Sequence, residues 1–292
     1  MFCVTSVSKG YNIRTEQHTP DKFCSILGEL HWLLGIEIKR VREQRTIHLS
    51  QRSYIDSILR RYGLQDLKPA SIPMDTSVRL SSAQSPATMA EFAAMRDVPY
   101  HEAVGSLMYA ALGTRPDIAF AVQTVSRFST KPGPAHWEAV KKIFRYLKGT
   151  IELWLSYGRS GGALTGYADA DGSMAEDRHA ISGYAFIVNG GAVSWSAKRQ
   201  EIIALSTTET EYVAATHAAK EALWLRSLIS QLFNARTKHI DIRFHFICWI
   251  VEQGSIRLVY CPTEDMVADT LTKALPSAKV KYFASELGLS PA

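Results

Sequence analysis

Residues 164–211 constrain the chain most, because they combine an alternating apolar pattern with acidic residues at both ends. The pattern predicts a strand, a β-hairpin and the first turn of a long helix. Asp169 and Asp171 lie on the strand, and Glu209 and Glu211 lie at the start of the helix. Hard divalent cations prefer carboxylate oxygens as ligands. A strand aspartate that faces a glutamate in a first helical turn therefore predicts part of a metal site.

Helix geometry separates the two glutamates. Residues two apart on an α-helix point about 200° apart around the axis, so Glu209 and Glu211 cannot serve one site together. Ser206 and Glu209 have the spacing of a capping box, which leaves the other glutamate to face the strand. Asp169 and Asp171 share one face of the strand through period-two alternation. The residues alone leave a second interpretation open, in which these acids only cap the helix and form the turn after the strand.

The composition is that of an ordinary globular chain. Its 292 residues favour two domains, and 46% of them are apolar and 21% charged. No apolar run reaches the roughly 18 residues of a membrane span, so we expect no membrane association. The four dispersed cysteines form no CxxC pair and predict neither a disulfide framework nor a zinc site. The net charge of +5 is compatible with a polyanionic partner.

The N-terminal part of the chain predicts a hairpin and a helix. Residues 1–22 show no clear periodicity, and we expect a frayed start there. Alternating apolar residues favour strands near 31–40 and 45–49. A helix should follow over 51–62, with Ser50 as its cap.

The middle of the chain changes from a linker to helices. Residues 65–99 are rich in proline, serine and alanine and predict a linker. The apolar spacing beyond them predicts three helices, near 101–111, 116–129 and 135–148.

Beyond Gly149 the pattern predicts strands and one long helix. The expected strands lie at 151–157, 163–170, 181–188 and 191–196. Asn189 and Gly190 separate the last two and predict a type I′ turn, because both central positions of that turn need a positive φ. A helix from 207 to about 233 follows. A second helix that Gly254 ends, a strand and a short final helix complete the prediction.

Two sets of basic residues are candidates for contacts with nucleic acid. Lys141, Arg145 and Lys148 recur along one face of the third predicted helix, and Lys198 and Arg199 follow the hairpin. Such side chains neutralise the phosphates of a nucleic-acid backbone. An ordinary solvated surface is the alternative interpretation of both sets.

Five ordered sequence blocks resemble one known family. The blocks are GYADAD, SGYAFIVNGGAVSW, ALSTTETEYVAATHAAKEALWLR, RTKHIDIRFHFI and PTEDMVADTLTK. Together they resemble the RNase H domain of Ty1/copia-type retrotransposon Pol polyproteins. Upstream, LGELHWLLGIEIKR resembles the primer grip of the reverse transcriptase and LSQRSYIDSILRRYGL resembles its thumb. AVGSLMYAALGTRPDIAFAVQTVSRF and HWEAVKKIFRYLKGT resemble the tether into RNase H, so the resemblance covers roughly residues 22–285.

The resemblance implies a fold and a division into domains. We expect an α/β protein with an RNase H-like mixed sheet and flanking helices. Residues 1–99 would be a truncated reverse transcriptase fragment, residues 100–150 a helical tether, and residues 151–292 the RNase H-like domain.

The resemblance also implies roles for three acids. In the family, four carboxylates bind two Mg²⁺ ions that activate water and stabilise the leaving oxygen at an RNA phosphodiester. Two metal ions about 4 Å apart suit in-line phosphoryl displacement. The positions that match the family's ligands are Asp169, Glu211 and Asp269, with Glu264 and Asp265 as nearby loop acids.

One carboxylate of the family has no counterpart in this sequence. The family carries a strand and helix with a YCDNQSA-like motif between its long helix and RTKHID, whereas here Phe233 is followed directly by Asn234. The resemblance thus implies an internal deletion that removes a metal ligand and a core strand. Strand 256–260 must then pair directly with strand 163–170 or leave a gap, because unpaired strand edges expose backbone donors and acceptors.

We therefore expect the C-terminal part of a Pol polyprotein with an impaired active site. The implied ancestral activity is Mg²⁺-dependent hydrolysis of RNA in RNA/DNA hybrids, without a small-molecule cofactor. The family's YVDD box is absent, so we expect no polymerisation by this chain alone. The alternatives are a non-catalytic nucleic-acid-binding protein, and an error of gene prediction that removed a segment from an intact element. The expected location is the cytoplasm or nucleus, within virus-like particles in the family.

Overall fold

The computed structural model describes residues 2–6, 29–158, 164–172, 179–204, 206–233 and 256–291. The helices are α1 (Arg52–Arg61), α2 (Met89–Arg96), α3 (Tyr100–Gly113), α4 (Ala119–Ser126), α5 (Pro134–Gly149), α6 (Thr207–Phe233) and α7 (Ser277–Glu286). The strands are β1 (Phe2–Ser6), β2 (Trp32–Leu33), β3 (Ile36–Val41), β4 (Thr46–Ser50), β5 (Leu153–Tyr157), β6 (Thr165–Asp171), β7 (Ile181–Val188), β8 (Gly191–Arg199), β9 (Ile256–Tyr260) and β10 (Leu289–Pro291). Short 3₁₀ helices lie at Ser82–Gln84, Pro116–Ile118 and Val267–Leu271. The protein has the α/β fold that the sequence predicts.

One sheet carries the strand on which Asp169 lies. Within the described ranges it has five strands in the order β8-β7-β6-β1-β9, and every neighbouring pair is antiparallel. Asn189 and Gly190 adopt φ values of 51° and 81°, so the turn between β7 and β8 has the positive φ angles that the sequence predicts. The helix α6 packs against β6 and β7 of this sheet.

The N-terminal strand corrects two predictions. Residues 2–6 were expected to be frayed, yet they form β1 in the position between β6 and β9. Phe2 pairs with Ala168 on one side and with Tyr260 on the other. Neither expected arrangement of strand 256–260 is found, because β9 pairs with β1. The expected vacancy for a core strand is therefore filled, and β1 satisfies backbone groups that β6 and β9 would otherwise expose.

A second sheet combines the hairpin near residues 32–50 with β5 and the C-terminal strand β10. In the described part its five strands have the order β10-β5-β4-β3-β2, again with antiparallel neighbours. Ile47 of the predicted hairpin pairs with Tyr157, and Leu155 pairs with Leu289 near the C-terminus. This pairing crosses the boundary that we expect near residue 150. The division into three domains stays a prediction.

The helices α3, α4 and α5 pack on one another and share one apolar core with residues of both sheets. The predicted apolar face of α5 is fully buried, with Val140, Ile143, Phe144 and Leu147 all at 0% exposure. The helix α2 lies within the segment that we predicted as linker, and its Thr88 and Glu91 form a capping box. Where the sequence predicts a short final helix, in PTEDMVADTLTKAL, the structure has the 3₁₀ helix Val267–Leu271. The helix α7 and strand β10 lie beyond it and were not predicted. The helix expected before Gly254 lies outside the described residues.

A buried ion pair connects these helices. Arg115 donates hydrogen bonds of 2.9 and 2.7 Å to the two carboxylate oxygens of Asp117, and both residues are almost completely buried. The Tyr146 hydroxyl donates to Asp117 at 2.7 Å. Arg115 also donates to the side chain of Thr150 at 2.5 Å. These bonds hold the end of α3 and the 3₁₀ helix Pro116–Ile118 against α5.

Candidate metal centre

Asp169 and Asp269 form a buried pair of carboxylates. Asp169 lies on β6 and is 0% exposed, and Asp269 lies on the 3₁₀ helix Val267–Leu271 and is 1% exposed. Burial raises the pKa of Asp269 to about 6, and the negative charge of the neighbouring Asp169 raises it as well. Two carboxylates held together away from water favour either a proton or a cation between them.

Close packing brings the 3₁₀ helix onto the strand. Asp169 pairs with Gly183 on β7, and a Cβ atom at Gly183 would come within 2.6 Å of Cγ2 of Thr272. Glycine at this position therefore allows the 3₁₀ helix to approach the sheet. Thr272 Oγ1 donates a hydrogen bond of 2.5 Å to Oδ2 of Asp169 and so fixes the orientation of this carboxylate.

A lysine lies against the two aspartates. Lys273 Nζ is 2.9 Å from Oδ1 of Asp269 and 3.8 Å from Oδ2 of Asp169, and its side chain is 26% exposed. Burial alone would lower the pKa of Lys273. The negative charges of Asp169 and Asp269 outweigh that effect and raise the pKa above its ordinary value. The ammonium group therefore stays charged beside the pair.

Two carboxylate oxygens are left for another partner. Asp169 Oδ1 and Asp269 Oδ2 are buried and have no hydrogen-bond partner among the described residues. A buried carboxylate oxygen without a partner is costly, and a divalent cation would satisfy it. Over the same part of the chain, no three His, Cys, Asp or Glu side chains are grouped closely enough to hold a metal ion. The two free carboxylate oxygens therefore fit a single cation held between Asp169 and Asp269.

The helix α6 presents Glu211 toward the pair and Glu209 toward solvent. Burial and the negative charge of Asp169 raise the pKa of Glu211, which is half-buried. Glu209 is exposed, and its backbone N–H donates to Ser206 Oγ at 3.2 Å. The predicted helix cap is therefore present. Glu211 is therefore close enough to Asp169 to feel its charge, and its role as a metal ligand stays a prediction.

The remaining acids near the site lie farther out. Asp171 ends β6 on the same face as Asp169, is half-buried, and contributes to the raised pKa of Lys273. Glu264 and Asp265, which the sequence suggests as loop acids, are exposed.

The predicted basic residues have partners within the protein. On α5, Arg145 donates to the carbonyl of Lys68 at 2.6 Å and Lys148 donates to the carbonyl of Leu67 at 2.9 Å. These bonds tie α5 to the segment that precedes α2, a role that sequence analysis did not anticipate. Lys141 pairs with Glu138 at 2.5 Å.

The second basic set lies at the end of β8. Lys198 pairs with Glu201 at 3.1 Å, and its side chain is 61% exposed. Arg199, the next residue, is half-buried. A contact of either set with nucleic acid stays a prediction.

Known proteins share most of this sequence. The chain is 42% identical over 290 residues to the Retrovirus-related Pol polyprotein from transposon TNT 1-94 of Nicotiana tabacum, a match to 90% of this chain and 22% of that protein. It is 36% identical to the corresponding polyprotein from transposon RE1 of Arabidopsis thaliana, over 90% of this chain and 19% of that protein. It belongs to the Pol polyprotein family of Ty1/copia-type retrotransposons.

This Pol chain spans about a fifth of the length of the polyproteins that it matches. It also covers most of a shorter relative, the uncharacterized mitochondrial protein AtMg00810 of Arabidopsis thaliana, with 36% identity over 68% of this chain and 79% of that protein. No family model and no solved structure matches the chain. None of the helices described for this Pol chain is long and apolar enough to cross a membrane.

Sequence analysis missed two residues of the site, Thr272 and Lys273. Both follow Asp269 in the block PTEDMVADTLTK, and Lys273 stands four positions after it. That spacing alone indicates that the ammonium group and the carboxylate can meet across one helical turn. The hydrogen bond from Thr272 to Asp169 had no such signal, because it depends on how the 3₁₀ helix packs on β6.

Proposed function

We propose that this chain is the part of a retrotransposon Pol polyprotein that carries an RNase H-like site for a divalent metal ion, with impaired turnover. The observation that carries the proposal is the buried pair Asp169 and Asp269, each with an oxygen that has no hydrogen-bond partner among the described residues. The pair joins a central strand to a distant 3₁₀ helix, and both aspartates stand at positions that match the family's ligands. Membership of the Pol family supports the same conclusion.

Each residue of the site has its own proposed role. Asp169 Oδ1 and Asp269 Oδ2 would hold Mg²⁺, which supplies a polarised water and neutralises charge at the scissile phosphodiester when it is bound. Thr272 orients Asp169 through its hydrogen bond to Oδ2, which leaves Oδ1 as the oxygen that would bind the ion. Glu211 has a raised pKa beside Asp169 and can hold a proton next to the site.

We attribute the impairment to an incomplete ligand set. The described residues provide two buried aspartates at the centre, with Glu211 half-buried beside them. The family's further aspartate has no counterpart between Phe233 and Asn234. Removing a metal ligand or its supporting group typically costs about 10–100-fold in metal affinity or activity. The proposed activity is therefore slow hydrolysis of RNA in an RNA/DNA hybrid.

The proposed substrate is a polyanion, and the chain offers basic groups for it. Lys198 and Arg199 at the end of β8 are the first candidates for contacts with hybrid phosphates, and Lys141, Arg145 and Lys148 are the second. The proposed location follows the family and is intracellular.

A cleavage and binding assay tests the proposal. The full chain is incubated with an end-labelled RNA/DNA hybrid in Mg²⁺ or Mn²⁺, and hybrid binding is measured over a range of salt concentrations. We expect binding that weakens with salt, as phosphate contacts require, and slow cleavage that Asp169→Asn abolishes. Rapid cleavage that Asp169→Asn abolishes would show that turnover is not impaired. Absence of hybrid binding would contradict the proposed RNase H-like site. Cleavage that Asp169→Asn leaves unchanged would contradict it as well.

A further inference from the structure

We propose that Lys273 takes the place of a second metal ion, so that this site binds a single divalent cation. The inference rests on the proposed metal site and specifies its stoichiometry. It is carried by the position of the ammonium group, 2.9 Å from Asp269 and 3.8 Å from Asp169. A positive charge that the chain itself supplies thus lies in the buried carboxylate pair.

The inventory of carboxylate oxygens leads to the same stoichiometry. A carboxylate commonly bridges two metal ions by binding one ion with each of its oxygens. Asp169 Oδ2 accepts the hydrogen bond of Thr272, and Asp269 Oδ1 faces the ammonium group of Lys273. Asp169 keeps Oδ1 without a hydrogen-bond partner among the described residues. Both oxygens of Asp269 lack a hydrogen bond there, but the ammonium group of Lys273 lies 2.9 Å from Oδ1, so Oδ2 is the oxygen that remains for another cation. In this arrangement neither aspartate has both oxygens available for two ions, whereas together they can hold one.

The local backbone keeps the ammonium group at this position. Lys273 N–H donates to the backbone carbonyl of Asp269 at 3.1 Å, which places the two side chains on the same side of one helical turn. The lysine side chain is only 26% exposed, so it cannot turn freely into solvent. A second divalent ion would have to displace a positive charge that two aspartates attract.

A count of bound Mn²⁺ tests the inference. Electron paramagnetic resonance of free Mn²⁺ gives the number of ions bound by the full chain, for the wild type, Lys273→Met and the control Lys281→Met, an exposed lysine on α7. We expect one ion for the wild type and for the control. For Lys273→Met we expect a second ion, and a first ion bound on the order of tenfold more tightly, because a positive charge a few ångströms away is removed. Circular dichroism spectra confirm that each variant is folded.

The outcomes separate this inference from the proposed function. Two ions on the wild type, or one ion on both the wild type and Lys273→Met, would overturn the role of Lys273 and leave the metal site standing. No ion on the wild type, or one ion that Asp169→Asn does not remove, would overturn the metal site itself.

Discussion

Thr272 Oγ1 donates a hydrogen bond of 2.5 Å to Oδ2 of Asp169 and joins the 3₁₀ helix Val267–Leu271 to the central strand β6. The bond occupies one oxygen of the aspartate and leaves Oδ1 without a partner among the described residues. The same contact brings Asp269 and Lys273 to the strand. The composition of the site therefore follows from how one short helix packs on one strand.

Glu211 and Glu209 provide a matched pair of variants on α6. We predict that Glu211→Gln weakens Mn²⁺ binding about tenfold, because a negative charge beside the aspartates is lost. Glu209→Gln should leave binding unchanged, since Glu209 is exposed at the helix start. Calorimetric titration with Mn²⁺ measures both affinities. Equal affinities for the two variants would show that Glu211 takes no part in the site.

The raised pKa of Asp269 predicts a pH-dependent stability in metal-free buffer. The folded chain holds this proton with a pKa of about 6, above the ordinary value of 3.8. The folded state therefore binds the proton more tightly than the unfolded chain, and the free energy of unfolding should fall as the pH rises from about 4 to about 6. Urea unfolding in EDTA measures this slope, and Asp269→Asn should reduce it. If the free energy of unfolding depends on pH in the same way for the wild type and for Asp269→Asn, the raised pKa does not belong to Asp269.

The strand β1 should contribute to stability through its backbone. Val4 lies opposite Gly166 on one side and Leu258 on the other. Proline at this position removes an N–H group from the centre of the sheet, and we predict a loss of about 1–3 kcal/mol in the free energy of unfolding for Val4→Pro. Val4→Thr keeps the N–H group and β-branching and serves as the control. If both variants unfold at the same urea concentration, β1 does not belong to the sheet in solution.

The buried pair of Arg115 and Asp117 predicts a large effect on stability. Arg115→Met would leave Asp117 as a buried charge without its partner, at a cost of about 3–5 kcal/mol. Arg96→Met removes an exposed pair with Asp97 and should cost less than about 1 kcal/mol. Denaturant unfolding of both variants gives the comparison. A small effect of Arg115→Met would mean that α3 and α5 do not depend on this pair.

Local sequence signals were sufficient for much of the fold. Period-two alternation predicted β6, β7 and β8, and Asn189–Gly190 predicted the turn between the last two. The capping spacing of Ser206 and Glu209 predicted the start of α6. Helix geometry separated Glu209 from Glu211, and the family resemblance then implied Glu211 as the metal ligand. These features depend on neighbouring residues, so a single sequence contains the information.

Features that depend on distant contacts were missed. Phe2–Ser6 has no flanking signal of its own, and it is a central strand because it pairs with β6 on one side and with β9 on the other. Arg145 and Lys148 form a basic face in sequence, yet carbonyls of the preceding segment accept their hydrogen bonds. The helix α2 was missed for another reason. Thr88 and Glu91 form a capping box, which is a local signal, but the surrounding prolines favoured the prediction of a linker.

The most direct test of the site is an anomalous-difference map from crystals of the full chain soaked in Mn²⁺. The structure predicts one peak between Asp169 Oδ1 and Asp269 Oδ2, at about 2.0–2.6 Å from each oxygen as expected for hard cations. It also predicts that Lys273 Nζ stays beside Asp269. A map without a peak at the two aspartates would contradict the metal site, and two peaks there would contradict the role of Lys273.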